Sequence, residues 1–326
     1  MNMSMDYKKA NLAYFFMILS TFMLVLIVSF FSQYTGVELS LPVNNVLCEM
    51  AILVPAVAIT MYSGEALSAV IPLKKIKIST FILSIIYVAS LFPLVDFVNS
   101  LSMLFVDNMV DSISGELVEL PMWIMLLSVG LFGPFVEEIV FRGVIFHSYR
   151  RSTRIVASMV LSSILFGMMH MNFNQFAYGA VMGFMLCLMV EATGSVIPSF
   201  IAHAVFNSYE VIVMYQVDSK EVVEEAVSAE NYREQLLGAI GIYFLFSVVF
   251  TAIALCVVYK MAELEGNKHF FDKLGFKNNK KNAMDAETGF FMEEVPKEKK
   301  PRLVTVPLVI AMSFAFAYML LTAAYL

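Results

Sequence analysis

The fold of this chain is decided by one stretch, residues 121–146, with the sequence PMWIMLLSVGLFGPFVEEIVFRGVIF. It is longer than the roughly 20 apolar residues that a helix needs to cross a hydrocarbon core about 30 Å thick. Three ionisable side chains interrupt it, those of Glu137, Glu138 and Arg142. Because a charged residue at the centre of a membrane helix costs about 2.5 to 3.5 kcal/mol, we expect these side chains to have a function.

The composition places the whole chain in the membrane class. Of its 326 residues, 60% are hydrophobic and 15% are charged, whereas soluble domains have about 25% charged residues. The predicted fold class is an all-α, polytopic transmembrane helical bundle of about nine membrane helices with an intramembrane polar cavity. The predicted spans are 11–34, 43–62, 79–106, 121–146, 155–171, 176–190, 197–215, 236–260 and 303–326.

Lysine and arginine predict the orientation, because cytoplasmic loops retain them. They precede the first span, follow the second and fourth spans, and are frequent between the last two spans. The opposite loops, 107–120 and 217–235, are mainly acidic. We therefore expect an integral membrane protein with a cytoplasmic N-terminus, an outer C-terminus and an uncleaved first span. The compact loops and the lack of an obvious targeting signal favour a bacterial plasma membrane.

The chain divides into five predicted segments, which differ in hydrophobicity and in polar motifs. They are N-terminal membrane helices (1–120), a functional core (121–215), an outer loop with the eighth helix (216–260), a charged cytoplasmic linker (261–302) and a C-terminal membrane helix (303–326).

Two further polar clusters lie in the spans that follow the first motif. His170 ends the sequence FGMMH, and His203 and Asn207 belong to the sequence IAHAVFN. Residues four apart share one face of a helix, so His203 and Asn207 are predicted to project side by side. Both side chains can donate a hydrogen bond to the same oxygen atom.

The spacing within the first motif predicts two roles for its charged residues. Glu138 and Arg142 are four apart, so we expect them to form a charge pair that supports the site structurally. Glu137 is turned about 100° away from Glu138 around the helix. It is therefore predicted to be free to accept a proton from water.

Two kinds of chemistry fit this set of side chains. A carboxylate, two histidines and an amide donor are sufficient for a hydrolase in which water attacks the substrate. Two imidazoles and a carboxylate also form a familiar catalytic zinc shell, in which Glu137, His170 and His203 would be the ligands. The residues alone leave both alternatives open.

At these residues the sequence resembles the CPBP family of intramembrane endopeptidases (CAAX protease and bacteriocin-processing, also called Abi). Type II CAAX prenyl endopeptidases are related to this family. The resemblance rests on EExxxR from Glu137 to Arg142, on FxxxH from Phe166 to His170, and on HxxxN from His203 to Asn207. Order, residue type and spacing match over roughly residues 121–215.

The resemblance implies a role for each motif residue. Glu137 would be the base that activates water, and His170 would help to position that water. His203 and Asn207 would form the oxyanion hole, and Glu138 with Arg142 would hold the site together. The family's mechanism implies that no metal is obligatory, with zinc as the alternative. Pairing His203 with Asn207 fits an oxyanion hole better than a metal shell.

The expected substrate is a membrane-associated peptide or protein, with no nucleic acid as a partner. Two other functions remain open, a non-catalytic bacteriocin-immunity or scaffold protein of the same fold, and a transporter. A transporter also buries charges at the membrane midplane, but such folds commonly contain repeated halves. No repeat is visible in this sequence.

Two observations fit these expectations less well. At about 1.5 Å per residue, Glu137 and His170 lie about 20 Å from the basic cytoplasmic loop, whereas His203 lies only about 9 Å from the start of its own span at residue 197, next to Pro198. Either the fourth and fifth helices project into the cytoplasm or the sixth and seventh are bent or tilted. In addition, Glu49 is one of several polar residues inside predicted spans that belong to no motif.

Overall fold

The structure is a computed structural model that describes residues 5–108, 114–216, 229–273 and 303–325. In these ranges the secondary structure is helical, without a strand. The helices are α1 (Tyr7–Thr35), α2 (Leu41–Tyr62), α3 (Leu67–Val70), α4 (Ile78–Ala89), α5 (Phe92–Ser102), α6 (Met122–Ser152), α7 (Ile155–Met169), α8 (Phe173–Thr193), α9 (Ile197–Gln216), α10 (Ala229–Glu265), α11 (His269–Lys273) and α12 (Val306–Tyr325).

The predicted membrane spans are found as helices. Within the described ranges, 8 helices are long and apolar enough to cross a membrane. The predicted fifth span corresponds to α7, which is apolar but has only 15 residues. The all-α polytopic bundle is therefore confirmed, and the protein is an integral membrane protein.

The third predicted span, 79–106, is interrupted where one continuous helix was expected. It consists of α4 and α5, with Ser90 and Leu91 between them. Pro93 is the second residue of α5. Because proline has no N–H, it cannot donate to the carbonyl of Ala89 four residues earlier, so the hydrogen bonds of α4 do not continue into α5. The two helices together still form one apolar span, Ile78–Ser102.

The helices differ in how much of their surface the protein itself covers. In the most apolar window of α8, 61% of residues are buried, compared with 11% in each of α1 and α10. The exposed side chains of α1 and α10 are large and apolar, as expected for helices that face lipid. Helix α8 is therefore central, and α1 and α10 lie at the periphery.

Tyrosine and asparagine side chains connect α1 to distant parts of the bundle. Tyr14 donates from its hydroxyl to Leu165 O of α7 at 3.1 Å, and Tyr149 donates to Asn11 Oδ1 at 2.5 Å. The Asn11 amide in turn donates to Leu303 O at 2.7 Å, just before α12. Buried polar groups that are paired in this way fix how the helices sit against each other.

Contacts with the segment after α3 show how far α6 extends relative to α9. Gly143 lies against Ile71, since a Cβ atom built on Gly143 would be 2.8 Å from Ile71 Cγ1. The Val196 N–H, just before α9, donates to Pro72 O at 2.9 Å. Gly143 and Val196 thus both contact the segment that contains Ile71 and Pro72, so they lie at a similar height along the helix bundle. Helix α6 continues about two turns beyond this segment, to Ser152. Whether the fourth and fifth predicted helices project into the cytoplasm stays a prediction.

Ion pairs hold the C-terminal end of α6. Arg150 Nε lies 2.6 Å from Glu191 Oε1 on α8, and Arg151 Nη1 lies 2.8 Å from Glu65 Oε2 in the segment after α2. Arginines in the last turn of a helix also complement the negative end of its dipole. The predicted span 121–146 therefore extends as a helix to Ser152.

Candidate active site

Helix α6 carries the first motif between two stretches of π-helix. These stretches are Leu126–Phe132 and Glu138–Phe146, with a short α-helical segment, Gly133–Glu137, between them. Such widened turns are frequent at functional sites because they change which side chains point to one face. Glu137 and Glu138 lie at the junction between the α-helical segment and the second stretch.

A line of four charged or titratable groups crosses from α6 to α9. Arg142 Nη1 lies 2.8 Å from Glu138 Oε1, and the same oxygen lies 2.9 Å from His203 Nδ1. His203 Nε2 lies 3.4 Å from Glu137 Oε2. The imidazole of His203 therefore stands between the two carboxyl groups. A proton on Nδ1 would be donated to Glu138, which leaves Nε2 directed at Glu137.

Burial separates the two glutamates. The side chains of Glu138 and Arg142 are 1% and 0% exposed, whereas that of Glu137 is 17% exposed. The Arg142 guanidinium also lies over the ring of Phe166, 4.2 Å from the ring centroid. A desolvated cation over an aromatic face is stabilised by the ring quadrupole. Glu138 and Arg142 are thus enclosed, and Glu137 is the accessible carboxyl group.

Phe166 joins the second motif to the other two. Its ring is edge-on to the rings of His170 and His203, with centroid distances of 5.1 Å and 5.8 Å. His170 Nδ1 lies 3.1 Å from Phe166 O. The first residue of the FxxxH motif therefore contacts Arg142, His170 and His203, a role that the sequence analysis did not assign to it.

A tight connection after α7 fixes the position of His170. Gly167 lets α7 and α8 approach closely, because a Cβ atom there would be 2.6 Å from Phe176 O. Met171 adopts a positive φ of 58°, and Asn172 caps α8 by accepting from Gln175 N at 2.8 Å. A non-glycine residue in this conformation is held there only by its surroundings, which constrains the neighbouring His170.

Asn207 lies on the same face of α9 as His203 but contacts the backbone of α6. Its Nδ2 donates to Val129 O at 3.1 Å. Val129 is in a π-helical stretch, where its carbonyl would accept from the residue five positions on, which is Pro134. Proline has no N–H to donate. The Asn207 amide therefore supplies a hydrogen bond that the helix itself cannot make.

The second N–H of the Asn207 amide is not needed for this contact. A carboxamide nitrogen has two donors, and the hydrogen bond to Val129 O uses one of them. Asn207 is partly exposed. The helices approach closely beside it, because a Cβ atom on Gly130 would be 2.7 Å from Ser208 Oγ.

The structure thus brings four of the six predicted site residues into one chain of contacts, namely Glu137, Glu138, Arg142 and His203. His170 joins this group through Phe166, and Asn207 lies one turn further along α9. Their roles in a reaction stay predictions. The alternative zinc ligands do not form a ready metal site, because the described part of the chain contains no group of three His, Cys, Asp or Glu side chains arranged for an ion.

Helix α2 adds two polar residues that no motif predicted. Asn45 Nδ2 donates to Ser128 O at 3.2 Å, on the same π-helical stretch that Asn207 contacts. Glu49, one turn further on, is buried, and its Oε1 lies 3.3 Å from the position of a Cβ atom built on Gly133. The four-residue spacing of polar side chains in an apolar span was the available signal.

The middle of the chain, which carries the three motifs, matches a known protein family. Residues 119–209 match the family described as "Type II CAAX prenyl endopeptidase Rce1-like". The protein is therefore an integral membrane protein with an Rce1-like domain, and the resemblance predicted from the three motifs is confirmed over this segment.

A particular relative aligns with part of the chain. It is a protein of Bacillus subtilis (strain 168) named "Putative membrane peptidase YdiL", and the two chains are 27% identical over 93 residues. The aligned segment covers 28% of this chain and 38% of the relative. No solved structure matches this chain at a significant level.

Proposed function

We propose that the protein is an intramembrane endopeptidase that hydrolyses a peptide bond in a membrane-associated peptide or protein. The observation that carries the proposal is the position of His203 between Glu137 and Glu138. This contact joins two motifs from different helices inside the Rce1-like domain. The arrangement gives an accessible carboxylate, a buried carboxylate and an imidazole within a desolvated bundle.

In the proposed reaction Glu137 is the general base. It takes a proton from a water molecule as the water oxygen attacks the carbonyl carbon of the scissile bond. The proton then passes from Glu137 to the nitrogen of the leaving amine as the C–N bond breaks. His170 helps to position the water. Glu138 and Arg142 hold His203 in place through the contacts at 2.9 Å and 2.8 Å.

The negative charge on the substrate oxygen is stabilised by α9. The proposed donors are the second N–H of Asn207 and the Nε2–H of His203, since both side chains lie on one face of the helix. For this role His203 acts as an imidazolium, whose Nδ1–H is donated to Glu138 while its Nε2–H faces the substrate oxygen. Donors fixed before the reaction contribute most where water is excluded. The bond from Asn207 to Val129 O fixes the amide without using up its donor capacity.

The proposed mechanism has no step that requires a metal. Two imidazoles and a carboxylate have the donor chemistry of a zinc shell, but the described side chains are not grouped for an ion. Zinc bound by Glu137, His170 and His203 remains the alternative that a chelation experiment tests.

The proposed substrate class follows from where the site lies. A site enclosed by membrane helices is reached by a peptide that is itself inserted in or anchored to the bilayer. The matching family is described as prenyl endopeptidases, so a lipid-modified peptide is one candidate, and an unmodified membrane peptide such as a bacteriocin precursor is another. We place the protein in a bacterial plasma membrane, with its N-terminus cytoplasmic and its C-terminus outside.

The test is cleavage by purified protein in liposomes. Two fluorogenic reporters with the same sequence, one prenylated and one with a single membrane-spanning segment, are incubated with wild type and with Glu137→Gln. We expect wild type to cleave at least one reporter and the variant to lose about 10² to 10⁴-fold in turnover, because it lacks the base. Comparative peptidomics of cells with and without the protein then identifies the natural substrate.

The Glu137→Gln variant keeps the side-chain volume, so equal purification yield and equal thermal unfolding serve as its controls. Normal turnover in this variant would refute the assignment of the base. If wild type binds the reporters and cleaves neither, the non-catalytic immunity or scaffold function becomes the better account.

A further inference from the structure

The buried carboxyl group of Glu49 has no role in the mechanism described so far. It lies on α2, outside the segment that matches the Rce1-like family. Glu49 is 8% exposed, and its Oε2 is completely buried without a hydrogen-bond partner. An unpaired, ionised carboxylate in such a position costs several kcal/mol, so a buried acid of this kind needs either a positive partner or a proton.

The position of Glu49 is determined by a notch in α6. Gly133 has no side chain, and Glu49 Oε1 lies 3.3 Å from the point where a Cβ atom would be. Gly133 is four residues before Glu137, so the notch and the Glu137 side chain are on the same face of α6, one turn apart. Glu49 thus lies against the face of α6 from which Glu137 projects.

The positive groups of the site are already engaged elsewhere. The Arg142 guanidinium pairs with Glu138, and His203 stands between Glu138 and Glu137. Glu49 and Glu137 are therefore two acids at the same face of α6, about one turn apart, in a region that is largely desolvated. Two carboxyl groups so placed do not both ionise readily, and sharing one proton removes the repulsion between them.

We infer that Glu49 is a positioning residue for Glu137, which keeps its own proton and donates it in a hydrogen bond to the Glu137 carboxylate. The inference rests on the proposed function, in which Glu137 is the base. Glu49 orients the Glu137 carboxylate toward the attacking water and keeps its proton throughout the reaction. The proton that Glu137 takes from water still passes to the leaving amine.

The test uses infrared spectroscopy on full-length protein in liposomes at neutral pH, which needs no substrate. The carbonyl stretch of a protonated carboxyl group is compared in wild type, Glu49→Gln and Glu137→Gln. We expect Glu49→Gln to remove one such band and Glu137→Gln to shift the same band, because its hydrogen-bond acceptor has changed. Asp96→Asn, which alters a partly buried acid of α5, leaves that band in place.

Kinetics with the cleaved reporter provides a second measurement. Glu49→Leu should lower kcat by about 10²-fold with little change in KM, because the base is disordered and substrate contacts are not. Glu49→Gln should be clearly more active than Glu49→Leu, since its amide still donates a hydrogen bond. A purely structural role would lower folded yield and would leave kcat per folded molecule unchanged.

Failure of this inference and failure of the proposed function give different results. If Glu49→Gln removes no band, or Glu137→Gln does not move it, Glu49 is not a protonated partner, even when Glu137→Gln is inactive. If Glu137→Gln instead cleaves normally, the proposed function fails while the infrared result stands. Equal kcat in wild type and Glu49→Leu would also overturn the inference.

Discussion

Helices α9 and α2 approach α6 with similar polar pairs. His203 and Asn207 on α9 are four residues apart, as are Asn45 and Glu49 on α2. On each side an asparagine donates to a carbonyl of the first π-helical stretch, Asn207 to Val129 O at 3.1 Å and Asn45 to Ser128 O at 3.2 Å. On each side the other residue is titratable. His203 Nε2 lies 3.4 Å from Glu137 Oε2, and Glu49 lies against Gly133, one turn before Glu137.

The difference between the two sides lies in the chemistry of the titratable residue and in the sequence context. The α9 side places an imidazole between two carboxyl groups, whereas the α2 side adds a third carboxyl group. The α9 pair lies within the Rce1-like segment, 119–209, and the α2 pair lies outside it. A sequence motif therefore marks one side of the candidate site, whereas the polar residues on the other side come from helix packing and belong to no motif.

The largest expected effect on stability comes from replacing Glu138, which contacts His203 of α9. Glu138→Gln leaves Arg142 as an unpaired buried charge and removes the carboxylate at 2.9 Å from His203. Breaking a buried pair by removing one partner costs about 3 to 5 kcal/mol. We expect a lower folded yield, a lower unfolding temperature in detergent and reduced turnover.

The matched control is Glu191→Gln, which breaks the more exposed pair with Arg150. A partly exposed ion pair contributes about 0 to 1 kcal/mol, so this variant should purify and unfold nearly as wild type does. Equal stability of the two variants would contradict the view that Glu138 and Arg142 form the structural support of the α9 side.

The next prediction compares how replacing each of the two asparagines changes turnover and stability. Asn207→Ala should lower kcat by about 10² to 10³-fold with little change in KM, because it removes a proposed oxyanion donor. Asn45→Ala removes a similar bond to the neighbouring carbonyl but no proposed donor. It should lower stability by about 1 kcal/mol and leave kcat nearly unchanged. Steady-state kinetics and thermal unfolding of both variants measure the difference.

Equal effects of Asn207→Ala and Asn45→Ala on kcat and stability would contradict the proposed difference between the α9 and α2 sides. If both variants lose only stability, Asn207 is a backbone clamp like Asn45. If Asn207→Ala raises KM strongly with a normal kcat, the residue binds substrate in its ground state, and the oxyanion role has to be dropped.

A double substitution tests whether His203 and Asn207 act on the same substrate atom. His203 and Asn207 are proposed to act on one oxygen atom, so their effects should not be independent. The loss of kcat in His203→Ala/Asn207→Ala should be smaller than the product of the two single losses. Multiplicative losses, measured with the same reporter in the same liposomes, would show that the two side chains act at separate places.

The smallest expected effect is that of metal removal. Chelation and dialysis should leave turnover within about twofold, because no proposed step uses a metal, whereas zinc bound at a hydrolytic site activates water. Protein that loses activity on chelation and recovers it with added zinc would support the alternative ligand set of Glu137, His170 and His203.

Apolar length and residue spacing were sufficient to predict the class of fold and the residues on the α9 side of the candidate site. Apolar length is a local property, so most membrane helices could be predicted within a few residues. The exceptions are the break at Pro93, the extension of α6 to Ser152, and α10, which runs from Ala229 to Glu265 where 236–260 was predicted. The pairing of Glu138 with Arg142 also follows from spacing, since residues four apart on one helix meet whatever surrounds them.

Contacts between helices depended on the tertiary structure. The placement of His203 between two carboxyl groups, the bond from Asn207 to Val129 O and the approach of Glu49 to Gly133 all depend on how α6 meets its neighbours. Spacing along a helix gives the direction of a side chain but not the partner it meets. That partner is determined by close backbone approach at glycines and by the π-helical turns of α6, which rotate the helix faces and leave carbonyls to be satisfied by other helices.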